Sequence, residues 1–301
     1  MTIERRALGK TGLSVSVLGF GGSEIGFQGT NPDQVGALLN GALDSGLNLI
    51  DTAECYVDSE EKIGQSVAHR RDQFLLLTKV GHEHGLGKGA DWSADSIARS
   101  IDRSLTRLRT DRLDLVQLHS CSAEIIARGE CIDALELAKA AGKTRFIGYS
   151  GDGVDALAAV RTGRFDTLQT SINVADQQVL DGALPEAAAR GMGVIAKRPI
   201  ANAAWQHAQQ PANNYHVEYW RRLSELKFPF QRLAMDEAVS VALRFTLSQP
   251  GVHTAIVGTT KPGRWAQNAA LLGAGPLSAD ELGSIRARWR EVAPASWVGM
   301  I

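Results

Sequence analysis

Three short apolar runs decide the fold: LNLID (47–51), FLLLT (74–78) and LDLVQL (113–118). They are rich in Leu and show little polar alternation, as strands buried on both faces of a parallel sheet do. Outward from them one unit recurs, a short apolar run followed by a loop and an amphipathic helix. VLGF (17–20) precedes them, and RFIGYS (145–150), TLQT (167–170), GVIAK (193–197) and TAIVG (254–258) follow. Eight such runs alternating with helices predict an α/β fold, a closed (β/α)8 TIM barrel rather than a doubly wound sheet. No G-x-G-x-x-G follows the first run, which argues against a Rossmann domain.

Helix signals fill the gaps. Asn31-Pro32-Asp33 is a start signal, and Val35, Leu38, Leu39, Ala42 and Leu43 recur behind it at helical spacing. Ser93 is read as an N-cap, with Trp92 stapling onto Ile97. Ser122 caps a helix expected to run to Gly142. Asp236 is read as the cap of a helix carrying Val239, Leu243 and Leu247, stopped by Pro250-Gly251. Residues 264–272 read as the last barrel helix, with Pro262 in its first turn. Three pieces lie outside the repeat. Residues 5–16 predict an N-terminal β-hairpin turning at Gly9–Gly12 and closing the barrel bottom. Residues 199–233, after strand seven, read as a long loop of the kind that is functional or mobile. Residues 278–291 suggest an extra C-terminal helix.

Composition excludes several classes. With 301 residues, 44% hydrophobic and 22% charged, the chain is long enough for a large core and is read as one barrel domain over 1–301. It is not disordered or collagen-like by composition. The 32 basic residues balance 33 acidic ones, so no electrostatic footprint for nucleic acid or a membrane surface is expected. Cys55, Cys121 and Cys131 form no C-x-x-C, and free thiols in a reducing compartment are the simplest reading. MTIERRALGK has no apolar core of a secretory signal, and no run reaches the ~18 residues of a membrane span. The expectation is a cytoplasmic protein; oligomeric state is not legible.

In a barrel of this type chemistry is built at the C-terminal strand ends. The polar residues there are Asp51 and Tyr56 after strand two, Lys79 at the end of strand three and His119 after strand four. Ser150 ends strand five, and Gln169 and Lys197 lie on strands six and seven. The first four suit proton transfer to an oxygen whose carbon receives a hydride. A phenol with an ordinary pKa near ~10 is a poor acid, and a Lys79 ammonium beside Tyr56 is expected to lower that pKa. Asp51 would hold Lys79 and keep it charged. His119 would donate to a carbonyl oxygen.

With these residues in place the sequence resembles the aldo-keto reductase family. The motifs are LGFGGSEIG (18–26), GLNLIDTAECY (46–56), LLLTKVG (75–81), RLDLVQLHS (112–120), GYS (148–150), LQTSINVAD (168–176), GVIAKRPIAN (193–202) and IVGTTKPGRWAQNAA (256–270). The resemblance implies NADP(H), with NAD(H) as the alternative, bound extended on a barrel without a Rossmann fold. It puts the family's catalytic tetrad on Asp51, Tyr56, Lys79 and His119, with Tyr56 as general acid. It puts the nicotinamide carboxamide at Ser150 and Gln169, and the cofactor's passage over the first strand end at Gly21 and Gly22. The adenosine end falls on Gly258, Thr259, Lys261, Arg264, Gln267 and Asn268. There Arg264 would pair with a 2′-phosphate through its planar fork, and Gln267 or Asn268 would read adenine edges.

Three positions depart from the family pattern. Lys197 stands where many members place an aromatic ring under the nicotinamide. Gly151 follows Ser150 where many have Asn, and Gly258 stands where many NADP-preferring members have Lys. GHEHG (81–85) is read as pocket loop rather than half a metal site, since zinc needs three or four ligands, and no metal is expected. Cys55 and Cys121 flank the pocket without a nucleophile's base. Trp205, Tyr215, Tyr219 and Trp220 either cover a substrate or pack the long loop down. The reading is a carbonyl/alcohol oxidoreductase acting on a small aldehyde, ketone or aldose. The rivals are an NAD-dependent sugar or lactol dehydrogenase, a regulatory subunit that binds cofactor with little turnover, and a phosphate-binding isomerase or lyase. AKRPIAN offers the last no Gly-rich turn.

Overall fold

A computed structural model describes residues 3–82 and 91–300. Two antiparallel strands, β1 (Arg5–Ala7) and β2 (Ser14–Ser16), precede the barrel strands. These are β3 (Leu18–Gly21), β4 (Leu49–Asp51), β5 (Leu75–Val80), β6 (Leu113–His119), β7 (Thr144–Ser150), β8 (Thr167–Ser171), β9 (Gly193–Lys197) and β10 (Thr254–Val257). They pair in parallel in chain order, and β10 returns to β3 to close the barrel. All eight apolar runs are strands, and the hairpin is present as expected.

The barrel interior changes character along its axis. At the bottom Leu49, Leu77, Leu115, Ile195 and Ile256 meet Leu8, Leu13 and Val15, so the hairpin plugs the lower opening. Side chains two apart on a strand share a face. Two residues beyond Leu49, Leu77, Leu115 and Ile195 stand Asp51, Lys79, Gln117 and Lys197. The inward face of one set of strands thus turns from aliphatic to polar, and at three of the four positions charged, on approaching the upper mouth. Register aligns the polar residues: Lys79 lies opposite Gln117, His119 opposite Ser150, and Ser150 opposite Gln169.

Most helix starts follow the sequence. Asn31, Ser93 and Ser122 accept from the backbone N–H of Gln34, Ser96 and Ile125. Ser278 and Glu281 form a capping box on the terminal helix Ala279–Val292. Other expectations need correction. The helix begun at Ser122 breaks into Ala123–Arg128 and Glu130–Ala140, because Gly129 sits at φ 84. Asp236 is not a cap; the helix Met235–Leu247 starts before it, and Asp236 lies in its first turn. Pro262 precedes the helix Arg264–Leu271, whose N-cap is Gly263. Trp92 packs on the core cluster that contains Ile97, but its indole N–H points to the mouth and donates to the His119 carbonyl at 2.9 Å.

The stretch 199–233 is more than a loop. It holds short 3-10 turns at Ala201–Gln206 and Pro229–Arg232 around a helix, Asn214–Leu226. Tyr219, Leu223 and Leu226 pack with Phe228, Phe230, Trp289 and Trp297 in a core of their own. The four aromatics singled out from the sequence divide accordingly. Tyr219 is buried and bonds Asp176, Trp220 donates to the His207 carbonyl, and Trp205 packs on Phe230. Tyr215 alone of the four lines the mouth.

Candidate active site

Asp51 ends β4 and Lys79 points inward from β5. Their ion pair, Nζ to Oδ2 at 2.6 Å, is almost fully buried, and Lys79 also donates to the Thr52 carbonyl at 2.8 Å. Asp51 Oδ1 accepts from Gln169 at 2.9 Å and from Gln117 at 3.2 Å. Both oxygens of the carboxylate are thereby hydrogen-bonded. Burial alone would pull the Lys79 pKa down, but Asp51 and neighbouring Tyr56 hold it above the usual lysine value. Lys79 is a fixed cation.

Tyr56 lies on the turn after β4, with Lys79 Nζ 4.9 Å from its ring centre. The Tyr56 pKa is pushed up to about 12. This corrects the expectation that Lys79 would lower it overall. The ammonium does pull it down, but burial of the ring opposes that pull, is the larger effect, and is joined by the Asp51 charge. The phenol therefore keeps its proton across the neutral range.

His119 ends β6, its ring edge-on to Tyr56 at 5.9 Å and to His82 at 5.3 Å. Burial, then the charges of Lys79 and Lys197, hold its pKa well below the ordinary imidazole value. It is neutral. Glu54, which the sequence reading passed over, locks the loops that carry these groups. It is 2% exposed, accepts from the backbone N–H of Gly81 and His82, and pairs with Arg103 at 3.0 Å. Its signal was its place inside DTAECY, two residues before Tyr56. His84 of the GHEHG stretch lies outside the described residues.

The mouth opens into a cavity of ≈620 Å³ bounded by β3, β9, β10 and the 199–233 segment. Asp51, Tyr56, His119, Ser150, Gln169, Lys197, Gly21, Gly22 and Gly258 all line it. Lys79 lies beneath. Thr259, Lys261, Arg264, Gln267 and Asn268 do not line it: Lys261 and Gln267 are exposed, Asn268 is buried, and Arg264 faces Asp236 at 3.3 Å. The expected catalytic and nicotinamide residues thus gather at one mouth, while the residues expected at the adenosine end, Gly258 apart, lie outside its lining.

Each departure from the family pattern has a local physical cause. A Cβ at Gly151 would lie 2.4 Å from the Tyr149 hydroxyl, so an Asn there has no room. A Cβ at Gly258 would overlap the Glu24 carboxylate, which fills the space a longer side chain would take. Lys197 is not loose beside the mouth; its Nζ is 2.9 Å from Asp152, whose carboxylate also binds Thr170 and Ser171. Burial lowers the Lys197 pKa although Asp152 opposes it. Arg198, next in sequence, donates to the Tyr215 hydroxyl at 2.9 Å and to Ser171 at 2.8 Å.

The groove fits a nicotinamide dinucleotide. Gly21 and Gly22 leave its floor bare at the end of β3, and a side chain on Gly22 would run into Ser59 and the Asp51 carbonyl. Beside Asp51 the Ser150 hydroxyl donates to the Gln169 amide oxygen at 3.1 Å, which leaves the Ser150 oxygen as an acceptor and the second Gln169 N–H as a donor suited to a carboxamide.

Residues 17–290 match the Aldo/keto reductase family. The chain is 30% identical over 283 residues to L-galactose dehydrogenase of Arabidopsis thaliana, covering 89% of this chain and 88% of that one. It is 26% identical over 309 residues to D-threo-aldose 1-dehydrogenase of Pseudomonas sp, covering 89% and 93%. Among solved structures, the holo form of aldo-keto reductase AKR11C1 from Bacillus halodurans superposes with a TM-score of 0.80 at 26% identity, covering 95% and 96%.

Proposed function

The chain belongs to the aldo/keto reductase family, and from this premise we propose that Tyr56 moves the proton while a nicotinamide dinucleotide, NADP(H) or NAD(H), exchanges a hydride with a small carbonyl or alcohol. The observation that carries this reading is the buried Lys79–Asp51 pair directly under the Tyr56 ring, with neutral His119 beside it at the mouth of the cavity.

When bound, the reduced nicotinamide supplies the hydride and its oxidised form accepts one. Ser150 and Gln169 would hold its carboxamide, and Gly21, Gly22 and Gly258 would let the chain of the cofactor lie close to the barrel rim. The residues of this chain do the rest. Tyr56 gives its phenolic proton to the oxygen as the carbonyl is reduced. Lys79 stabilises the phenolate that remains, and Asp51 keeps Lys79 charged and in place. His119 directs an N–H at the same oxygen, where negative charge develops. In the oxidative direction Tyr56 must first lose its proton, which its high pKa makes the more pH-sensitive half-reaction.

A hydroxyl-rich substrate, an aldose or lactol, is the second reading. Gln28, Asn202, Asn213, Tyr215 and Arg198 give the outer cavity a polar wall. The names of the two sugar dehydrogenases quoted above support the same class. The test is to follow NADPH and NADH consumption across simple aldehydes, ketones and aldoses, and NADP and NAD reduction with sugars. Turnover that disappears in Tyr56→Phe supports the mechanism. Cofactor binding without turnover on any carbonyl or sugar would favour a regulatory subunit instead.

A further inference from the structure

Cys55 precedes Tyr56 and follows Glu54, and the mechanism above gives it no task. Its Sγ lies 3.4 Å from Nδ1 of His119, within hydrogen-bond range for sulfur. The other ring nitrogen has no protein partner among the described residues, and His119 lines the cavity. The ring therefore has one nitrogen toward a thiol and one toward the space where a substrate oxygen must sit.

A neutral imidazole carries a single proton, and the partner of one nitrogen decides which nitrogen holds it. From this geometry we propose that the Cys55 thiol is a positioning residue that donates to His119 Nδ1 and so fixes the tautomer whose Nε2–H faces the substrate oxygen. The proposal rests on His119 being the oxygen-facing donor of the proposed mechanism.

Two observations and the chemistry of the two groups support the direction of the bond. The thiol keeps its proton: burial, only partly opposed by Lys79, pushes the Cys55 pKa up to about 11. The imidazole keeps a free lone pair, because burial and the surrounding cations prevent its protonation. Between a thiol and a neutral imidazole the S–H is the more acidic donor and ring nitrogen the better acceptor, so S–H···N is favoured over N–H···S. Among the described residues the remaining neighbours leave the choice to sulfur. Tyr56 and His82 present ring contacts to His119, and Trp92 donates to its backbone carbonyl rather than to the ring. Lys79, Lys197 and Arg198 disfavour the doubly protonated ring without selecting a nitrogen.

With the opposite tautomer, Nε2 would present a lone pair to the lone pairs of a carbonyl oxygen. Removing the thiol releases that constraint. The loss should fall on kcat rather than KM, since the donor works hardest as charge develops on oxygen.

The test reads the tautomer directly. Protein labelled with 15N-histidine is examined by long-range 1H–15N correlation near pH 8, without substrate, with His119→Gln identifying the His119 signals. The wild type should show a protonated Nε2 and a bare Nδ1. Cys55→Val should give a mixture or the reverse, and kcat should fall roughly tenfold with KM little changed, less than the ~10²-fold loss of a whole oxyanion donor. Cys55→Ser, which keeps a donor, should restore the Nε2–H tautomer and most of the rate. A protonated Nδ1 in the wild type overturns the proposal whatever the variants do. An unchanged tautomer and rate in Cys55→Val overturn it as well. Because the spectrum needs no turnover, a Cys55-dependent tautomer in a protein that reduces no carbonyl would count against the proposed function and leave this assignment standing.

Discussion

Lys79 Nζ stands 2.6 Å from Asp51 Oδ2 and 4.9 Å from the centre of the Tyr56 ring. One cation thus serves two partners with opposite demands. The carboxylate makes a buried ammonium tolerable, and the ammonium makes a phenolate at Tyr56 tolerable. Asp51 in turn disfavours that phenolate. The net result at rest is a protonated phenol above a permanently charged lysine, a site set to give a proton.

Lys79→Met tests this balance through pH. Lys79 is the charge that opposes the upward push of burial on Tyr56. Without it the phenolate is harder to form, so the rise of alcohol oxidation with pH should move to still higher pH. The same change strands Asp51 with only Gln117 and Gln169 as strong partners, and loss of one member of a buried pair costs about 3–5 kcal/mol. Thermal unfolding should therefore be recorded alongside the pH profile. A profile that stays in place while the melting temperature drops would assign Lys79 a structural role only.

Tyr56→Phe separates proton transfer from packing. The ring and its contact with His119 are retained while the hydroxyl is lost. Dinucleotide binding should change little, and kcat for carbonyl reduction should fall by about 10²–10⁴-fold. Stopped-flow or steady-state assays with a reactive aldehyde are suitable. Retention of most of the rate would remove Tyr56 from the mechanism.

The barrel was readable because each strand is a short run buried on both faces, and eight such runs alternate with helix signals along the chain. The mouth was readable for the same reason: once the strands are placed, Asp51, Lys79 and His119 can only stand at their ends. What escaped was non-local. Cys55 and His119 are 64 positions apart and touch only through the fold. Gly258 reads as a missing lysine until Glu24, which fills its space, is seen. The direction of the Tyr56 shift depends on burial, which a list of neighbouring charges does not contain. The helix Asn214–Leu226 escaped because Tyr, Trp and Arg bury their stems while showing polar tips, which blurs the apolar stripe.

Two helical glycines should respond to the same substitution with opposite signs. Gly41, in the helix Pro32–Asp44, is exposed, and a Cβ there would meet nothing within 4 Å. Gly41→Ala should stabilise by roughly 0.5–1 kcal/mol, by reducing the freedom of the unfolded chain. Gly64, in the helix Ser59–Val67, would place its Cβ 2.3 Å from the Arg107 carbonyl oxygen. That obstacle is backbone and cannot swing aside, so Gly64→Ala should destabilise by about 1–3 kcal/mol. Urea unfolding of both variants checks the pair. Matching shifts would mean that the approach of Ser59–Val67 to Ala94–Arg107 is looser than the structure has it.

The role proposed for Arg264 in cofactor choice requires that it leave Asp236. The guanidinium and the carboxylate are 3.3 Å apart and both are substantially exposed, so the pair contributes little to stability and its partner can be exchanged. A 2′-phosphate offers the same guanidinium a charge-assisted bond with roughly 1.5–3 kcal/mol, about one to two decades in Kd. Arg264→Ala should then weaken NADPH by that order and leave NADH nearly unchanged. Asp236→Asn removes the competitor and should act the opposite way, tightening NADPH by a few-fold and sparing NADH. Titration by quenching of tryptophan fluorescence follows both cofactors in all three proteins. Equal losses for NADPH and NADH in Arg264→Ala would place the guanidinium on the adenine or ribose rather than on the phosphate. That result, with no gain in Asp236→Asn, would move the balance to NAD(H) and to the sugar dehydrogenase reading.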